Sequence, residues 1–210
     1  MWKKIALALG IITIIIYSLP QTAGTDKAYA AQIYQVRKQK NQQFRSNSDA
    51  SPLTAAQKPT FDSLRYFAPD SRFRIDAHLH RVDEATAPPV TLRQSDGTTE
   101  VYRQYANLDF TIPGQTTQQK LVLLQKKTPA GAQEPLFLPF TDATNGRLTY
   151  GGGRFLDLPV PEPGASEITL DFNTAYNPYC AYNSAYSCPV PPAENKLAIE
   201  IEAGEKAFHD

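Results

Sequence analysis

Arg72-Phe73-Arg74-Ile75-Asp76-Ala77-His78-Leu79-His80 alternates without a break between polar and apolar side chains. In an extended chain, Phe73, Ile75, Ala77 and Leu79 fall on one side. The two arginines, Asp76 and the two histidines fall on the other. This is a strand with one buried face. A 3.6-residue period would scatter the same residues around a helix.

The chain after this strand repeats the pattern in short pieces. Val90 and Leu92 mark a second strand, and Ser95-Asp96-Gly97-Thr98 reads as a hairpin turn, since Asp-Gly accepts positive φ. Further strands are expected at Glu100–Tyr105, Leu108–Ile112, Lys120–Gln125, Leu136–Phe140, Ile168–Phe172 and Leu197–Ile201, punctuated by Gly and Pro turns. No helical pattern separates them, so βαβ units are excluded. The expected fold is mainly β: a single antiparallel β-barrel or β-sandwich-like domain with an N-terminal helix. That helix spans Asp26 to Phe44, with Tyr29, Ile33, Val36 or Arg37, and Lys40 to Phe44 at three-to-four spacing.

Upstream, Lys3 and Lys4 precede an apolar run from Ile5 to Ile16. A helix from Ile5 to Leu19 is roughly 22 Å long, against a bilayer core of about 30 Å. A cleaved secretory signal and a retained transmembrane anchor both fit, with cleavage at Thr22-Ala23-Gly24 or Ala28-Tyr29-Ala30. Either one exports the chain to the cell envelope: the periplasmic or extracellular side of the inner membrane, or the medium. The chain divides into a signal peptide or anchor at 1–24, a helix and linker at 25–60, and a β-rich domain at 61–210.

The 21 basic and 21 acidic residues cancel. No basic field exists to grip a phosphate backbone, so nucleic acid is not an expected partner. Arg37-Lys38-Gln39-Lys40 reads as a solvated helix face. Nothing marks a nucleotide, flavin or haem site, and no cofactor is expected.

Three groups of polar residues could carry function. The first is Asp142, Asn145, Tyr150, Arg154 and Asp157, around glycines 151 to 153. Two readings stay open. One is an anion- or sugar-binding loop; the other is a hairpin locked by an internal Arg154–Asp142 or Arg154–Asp157 pair. The second is Cys180 and Cys188, expected as a disulfide in an exported chain. Packed free thiols, a zinc site shared with His78 and His80, and a Cys180 nucleophile with His78 as base are the alternatives. The third is Tyr176, Tyr179, Tyr182 and Tyr186 with Asn173, Glu194 and Asn195. Exposed, these would stack on and hydrogen-bond a ligand; buried, they would anchor a long loop.

Four segments resemble the DUF1684 family, whose members have no assigned function: Leu136–Gly146, Thr149–Asp157, Asp171–Tyr182 and Tyr186–Leu197. Leu108-Asp109-Phe110 and the ending Ile201–Lys206 fit as well. The resemblance implies that polar residues in these segments are where function should be sought. It supplies no catalytic role. The expected function is binding of a small polar ligand, glycan or envelope protein, or a structural role. The expected binding residues are Asp142, Tyr150, Arg154, Asp157, Asn173, Tyr179, Glu194 and Asn195. The alternative is a hydrolase-like enzyme using Asp142 and Glu194, or Cys180, in a cleft. Membrane association would run through the N-terminal segment if uncleaved.

Overall fold

A computed structural model describes residues 26–46, 51–126 and 135–209. Seven antiparallel strands form one curled sheet: β1 (Arg74–Arg81), β2 (Pro89–Arg93), β3 (Thr99–Phe110), β4 (Gln119–Lys126), β5 (Leu136–Phe140), β6 (Arg154–Leu158) and β7 (Glu167–Asp171). Their order is β6-β5-β4-β3-β1-β7, with β2 on the β3 edge that also carries β1. Helix α1 (residues 26–45) lies against the outside. The result is a half-barrel with an N-terminal helix, the architecture expected from the alternation.

Ile75, Ala77 and Leu79 of β1 point inward with Leu108, Leu121, Leu123, Leu138, Leu156 and Leu170, all nearly or fully buried. The open edge of β6 is partly closed by one bridge, where Phe155 and Tyr176 exchange backbone hydrogen bonds of 2.9 and 3.0 Å. Pairing the edge this way removes free N–H and C=O groups.

The two strands expected at Glu100–Tyr105 and Leu108–Ile112 are one long strand, β3. A register shift between Gln104 and Ala106 bends it and hid its continuity. Strand β6 was not foreseen, because Arg154 occupies an inward position where the pattern demands an apolar residue. Leu197 and Ile201 are buried, but Leu197–Ile201 is irregular chain rather than the expected strand. Its last carbonyls turn toward Arg154: Nη2 donates to Ile201 O at 2.8 Å and Nη1 to Ala203 O and Glu205 O. Gly204 completes this turn at φ 75°. A Cβ there would lie 2.6 Å from Ala175 O and 2.7 Å from Phe172 O, so no side chain fits.

Helix α1 is about 30 Å long at 1.5 Å per residue. Ile33, Arg37 and Phe44 make its buried stripe. The charge in that stripe is held by the domain: Arg37 donates to Phe67 O at 2.7 Å and Asn173 O at 3.2 Å, and lies over the Tyr66 ring. Tyr29 donates to Asp171 Oδ1 at 2.7 Å.

The transmembrane expectation is corrected. Among the described residues no helix is long and apolar enough to cross a membrane. Helix α1 is exposed and polar over most of its surface. Residues 1–24, on which the anchor and signal readings rested, lie outside the described residues.

Candidate functional site

The sheet has a second, partly covered face. On β3, β5 and β6 the positions out of phase with the barrel core carry Glu100 and Tyr102, Phe137, and Phe155 and Asp157. Tyr102 and Phe137 stack at 5.5 Å. Phe137 meets Phe155 edge-on at 4.8 Å, and Phe155 meets Tyr176 edge-on at 5.9 Å. Each geometry is a favourable quadrupole arrangement, so the rings form a continuous floor.

Helix α1 makes one wall through Val36, Lys40 and Phe44. The chain from Pro178 to Pro189, with Tyr179 and Tyr186, makes the other. They flank an open cleft of about 700 Å³. Ligand pockets of roughly 300–1,000 Å³ with apolar, aromatic walls are typical for small molecules.

Polar groups enter this cleft at three points. Tyr176 donates its hydroxyl to Asp157 Oδ2 at 2.8 Å. The Asp157 side chain is exposed to cleft water, while the rings and α1 beside it remove part of its hydration. Burial therefore pushes its pKa up, against the opposing pull of Tyr176 and of the Lys40 charge. Glu100 differs. Burial alone would raise it, but Lys126 at 2.6 Å and the Tyr102 hydroxyl at 2.8 Å outweigh burial and hold it low. Lys40 sits 4.7 Å from the Tyr176 ring centroid and pairs with the buried Glu205 at 2.6 Å.

Of the residues expected to bind ligand, Asp157 and Tyr179 reach the cleft. Asp142 and Arg154 are fully buried and face each other, with Arg154 Nη2 donating to Asp142 Oδ2 at 2.8 Å. Asp142 Oδ1 accepts from Thr144 N at 2.8 Å, Thr144 Oγ1 at 2.6 Å and Ile201 N at 3.2 Å. The locked hairpin is the arrangement found. Gly153, at φ 95°, lets the backbone pass against Phe140 O, where a Cβ would come within 2.8 Å.

Asn173 is consumed in bonds to Asp70 N and Asp70 O, and Asn195 in bonds to Val122 N, Val122 O and Pro139 O. Tyr150 packs beside the cysteines with its hydroxyl 3.9 Å from Cys180 Sγ. Glu194 lies on the outer face of the sheet in a separate shallow pocket with His80, Asp109 and Lys120. Asp142, Arg154, Tyr179 and Glu194 do not line one cavity. No arrangement of Asp142 with Glu194 supports the hydrolase alternative. Among the described residues no group of three or more His, Cys, Asp or Glu side chains is placed to hold a metal.

The partner expectation is corrected with it. Of the polar residues that were to meet a polar ligand, glycan or envelope protein, Asp142, Arg154, Asn173 and Asn195 are spent on internal bonds and the rest do not converge on one site, and membrane attachment finds no spanning helix among the described residues.

The disulfide is also corrected: Cys180 and Cys188 are free thiols. The Cys180 amide donates to Cys188 Sγ at 3.0 Å. The loop needs no covalent staple, because Asn177 N donates to Glu205 Oε2 at 2.8 Å, Asn177 Nδ2 to Lys206 O at 2.8 Å, and Tyr182 to Glu205. The hydrogen bond between the two thiols, helped by Tyr150, pulls Cys180 down to about 7 against burial and pushes Cys188 up.

Sequence reasoning missed Lys40, Phe44, Glu100, Tyr102, Phe137 and Phe155 as cleft residues, and singled out Tyr176 only within the tyrosine set. A signal was present. Phe137 and Phe155 are rings on the outward phase of strands whose inward phase is already filled. Such rings announce a second covered face.

The family model described as "Protein of unknown function (DUF1684)" matches residues 59–206. A solution NMR structure of an uncharacterized protein from Haloarcula marismortui is similar, at 34% identity and a TM-score of 0.66. The likeness covers 88% of this chain and 97% of that one, so the two share the fold over nearly their whole described length. No curated protein matches.

Proposed function

Because the chain belongs to the DUF1684 family of uncharacterised β-rich domains, the geometry of the cleft has to supply its role, and we propose a small-molecule binding module that takes a flat, apolar, ring-bearing molecule. The observation that carries this reading is the ring floor. Tyr102, Phe137, Phe155 and Tyr176 are in mutual contact and open onto about 700 Å³ of cleft, walled by α1 and the tyrosine loop. A flat ligand removes apolar surface from water on both faces at about 25 cal/mol per Å². Ring-on-ring contact adds to that.

The reading includes export. Lys3, Lys4 and the run from Ile5 to Ile16 would act as a cleaved leader over 1–24, ahead of the helix and linker at 25–60 and the β-rich domain at 61–210. Helix α1 then belongs to the working unit, since it builds one cleft wall.

Titration of the isotope-labelled protein with indole tests the site. Amide shifts are expected at Tyr102, Phe137, Phe155, Tyr176 and Tyr179, saturating in the micromolar to millimolar range. Shifts absent from these residues overturn the proposal.

A further inference from the structure

We infer that the molecule this cleft accepts is an organic cation, an ammonium group on an apolar or ring-bearing body, held between the aromatic floor and Asp157. The inference rests on the ring-cleft reading above and adds the charge. Three observations carry it.

The first is the charge inventory. Among the described residues lining the cleft, the carboxylates are Asp157 and Glu100, and Lys40 is the one Lys or Arg. Lys40 is neutralised by Glu205, buried to 1%, at 2.6 Å. Glu100 is neutralised by Lys126 at 2.6 Å. Asp157 has a hydroxyl partner, Tyr176, but among the described residues no Lys or Arg nitrogen lies within ion-pair distance of it. One negative charge is therefore left facing the cleft without a direct counter-ion.

The second is the rings. Aromatic faces carry a negative quadrupole, and a cation within about 6 Å of a ring centroid is attracted to it, more strongly where water is displaced. Phe155 and Tyr176 adjoin Asp157, and Phe137 extends the floor. The third is that the protein already uses this chemistry at the cleft wall. The Lys40 ammonium lies 4.7 Å from the Tyr176 centroid and 5.6 Å from that of Phe44.

Asp157 is exposed to the cleft, and the partial loss of water on the side of the rings pushes its carboxyl above the usual range. An incoming cation supplies what is missing. A ligand anion would meet the same unpaired carboxylate and be repelled.

The test compares two ligands of one shape: benzyltrimethylammonium and its neutral isostere neopentylbenzene, in which carbon replaces nitrogen. Each is titrated into the full-length protein and followed by amide shifts at the cleft residues, with indole as the occupancy control. The cation is expected to bind at least tenfold tighter than the isostere. That preference should shrink to under threefold in Asp157→Asn and should weaken with added salt. Equal binding of the two probes, with indole still shifting the cleft residues, overturns the cation and leaves the ring cleft standing. Failure of all three probes overturns both. A preference that survives unchanged in Asp157→Asn removes Asp157 as the anchor and overturns the inference as stated.

Discussion

Strand β6 carries Arg154 and Asp157 three residues apart, on opposite faces of the sheet. Arg154 faces inward and meets Asp142; Asp157 faces outward into the cleft. The two aspartates look alike in the sequence and live under opposite conditions. Asp142 is wholly buried, yet it accepts from Arg154, from Thr144 twice and from the Ile201 amide. Asp157 touches water and has one hydroxyl donor. A polar residue is available for a ligand when its hydrogen-bonding capacity is unfilled, and burial alone does not decide that.

The Asp142 side should break hardest. Arg154→Leu leaves a carboxylate buried without its cation and strips donors from the carbonyls of Ile201, Ala203 and Glu205. The expected loss is about 3–5 kcal/mol, a large part of the roughly 5–15 kcal/mol that holds a domain together. Urea unfolding measures it. The double variant Arg154→Leu with Asp142→Leu should recover part of the loss, since the stranded charge is gone while the carbonyls stay unpaired. A single-variant loss below about 1 kcal/mol would mean that water reaches Asp142.

The Asp157 side should show the opposite sign. Its native pKa is raised, so the folded protein holds this proton more tightly than the unfolded chain, whose carboxyl titrates near 3.9. Below that value the group is neutral in both states and costs nothing. As pH rises from there through the native value, the unfolded state gains relative to the folded one and stability is lost. Asparagine keeps an acceptor for Tyr176 and carries no charge. Asp157→Asn should therefore unfold at a higher urea midpoint than the parent at pH 7, by under about 1 kcal/mol because cleft water screens the carboxylate. The difference should fade as pH drops toward 4. A lower midpoint at pH 7 would show that Lys40 stabilises the carboxylate more than burial penalises it.

The contrast also marks what the sequence could reveal. Period-two alternation at Phe73–His80 and the Asp96-Gly97 turn are local facts, enforced by strand geometry and by positive φ, and they appear where expected. The spacing of Ile33, Arg37 and Phe44 likewise gave α1. Strand β6 was hidden because a buried arginine needs carbonyls from Ile201 to Glu205, which arrive only through tertiary folding. The cleft was hidden for a related reason. Its floor comes from three strands, its walls from residues far apart in the chain, and no local pattern joins Lys40 to Asp157. The tyrosine loop invited attention for its cysteines, while the pieces that matter for the cleft are Tyr176, Tyr179 and Tyr186.

The wet outer face of the sheet sets the low end of the comparison. His80 Nε2 lies 3.2 Å from Asp109 Oδ2, and Lys120 reaches Asp109 at 3.0 Å. Lys120 holds the Asp109 carboxyl below its usual range, with His80 adding to the effect. In sequence terms this is another polar group beside an acid, much like Arg154 and Asp142. The histidine side chain is 60% exposed, however, and Asp109 keeps Lys120 as a partner at 3.0 Å, so loss of His80 strands neither group. His80→Asn should shift the unfolding free energy by under about 0.5 kcal/mol, and raising the salt should erase even that. A change above about 1 kcal/mol would move this face out of the class of solvated ladders and toward the class of Asp142, with a buried contact as the cause to seek.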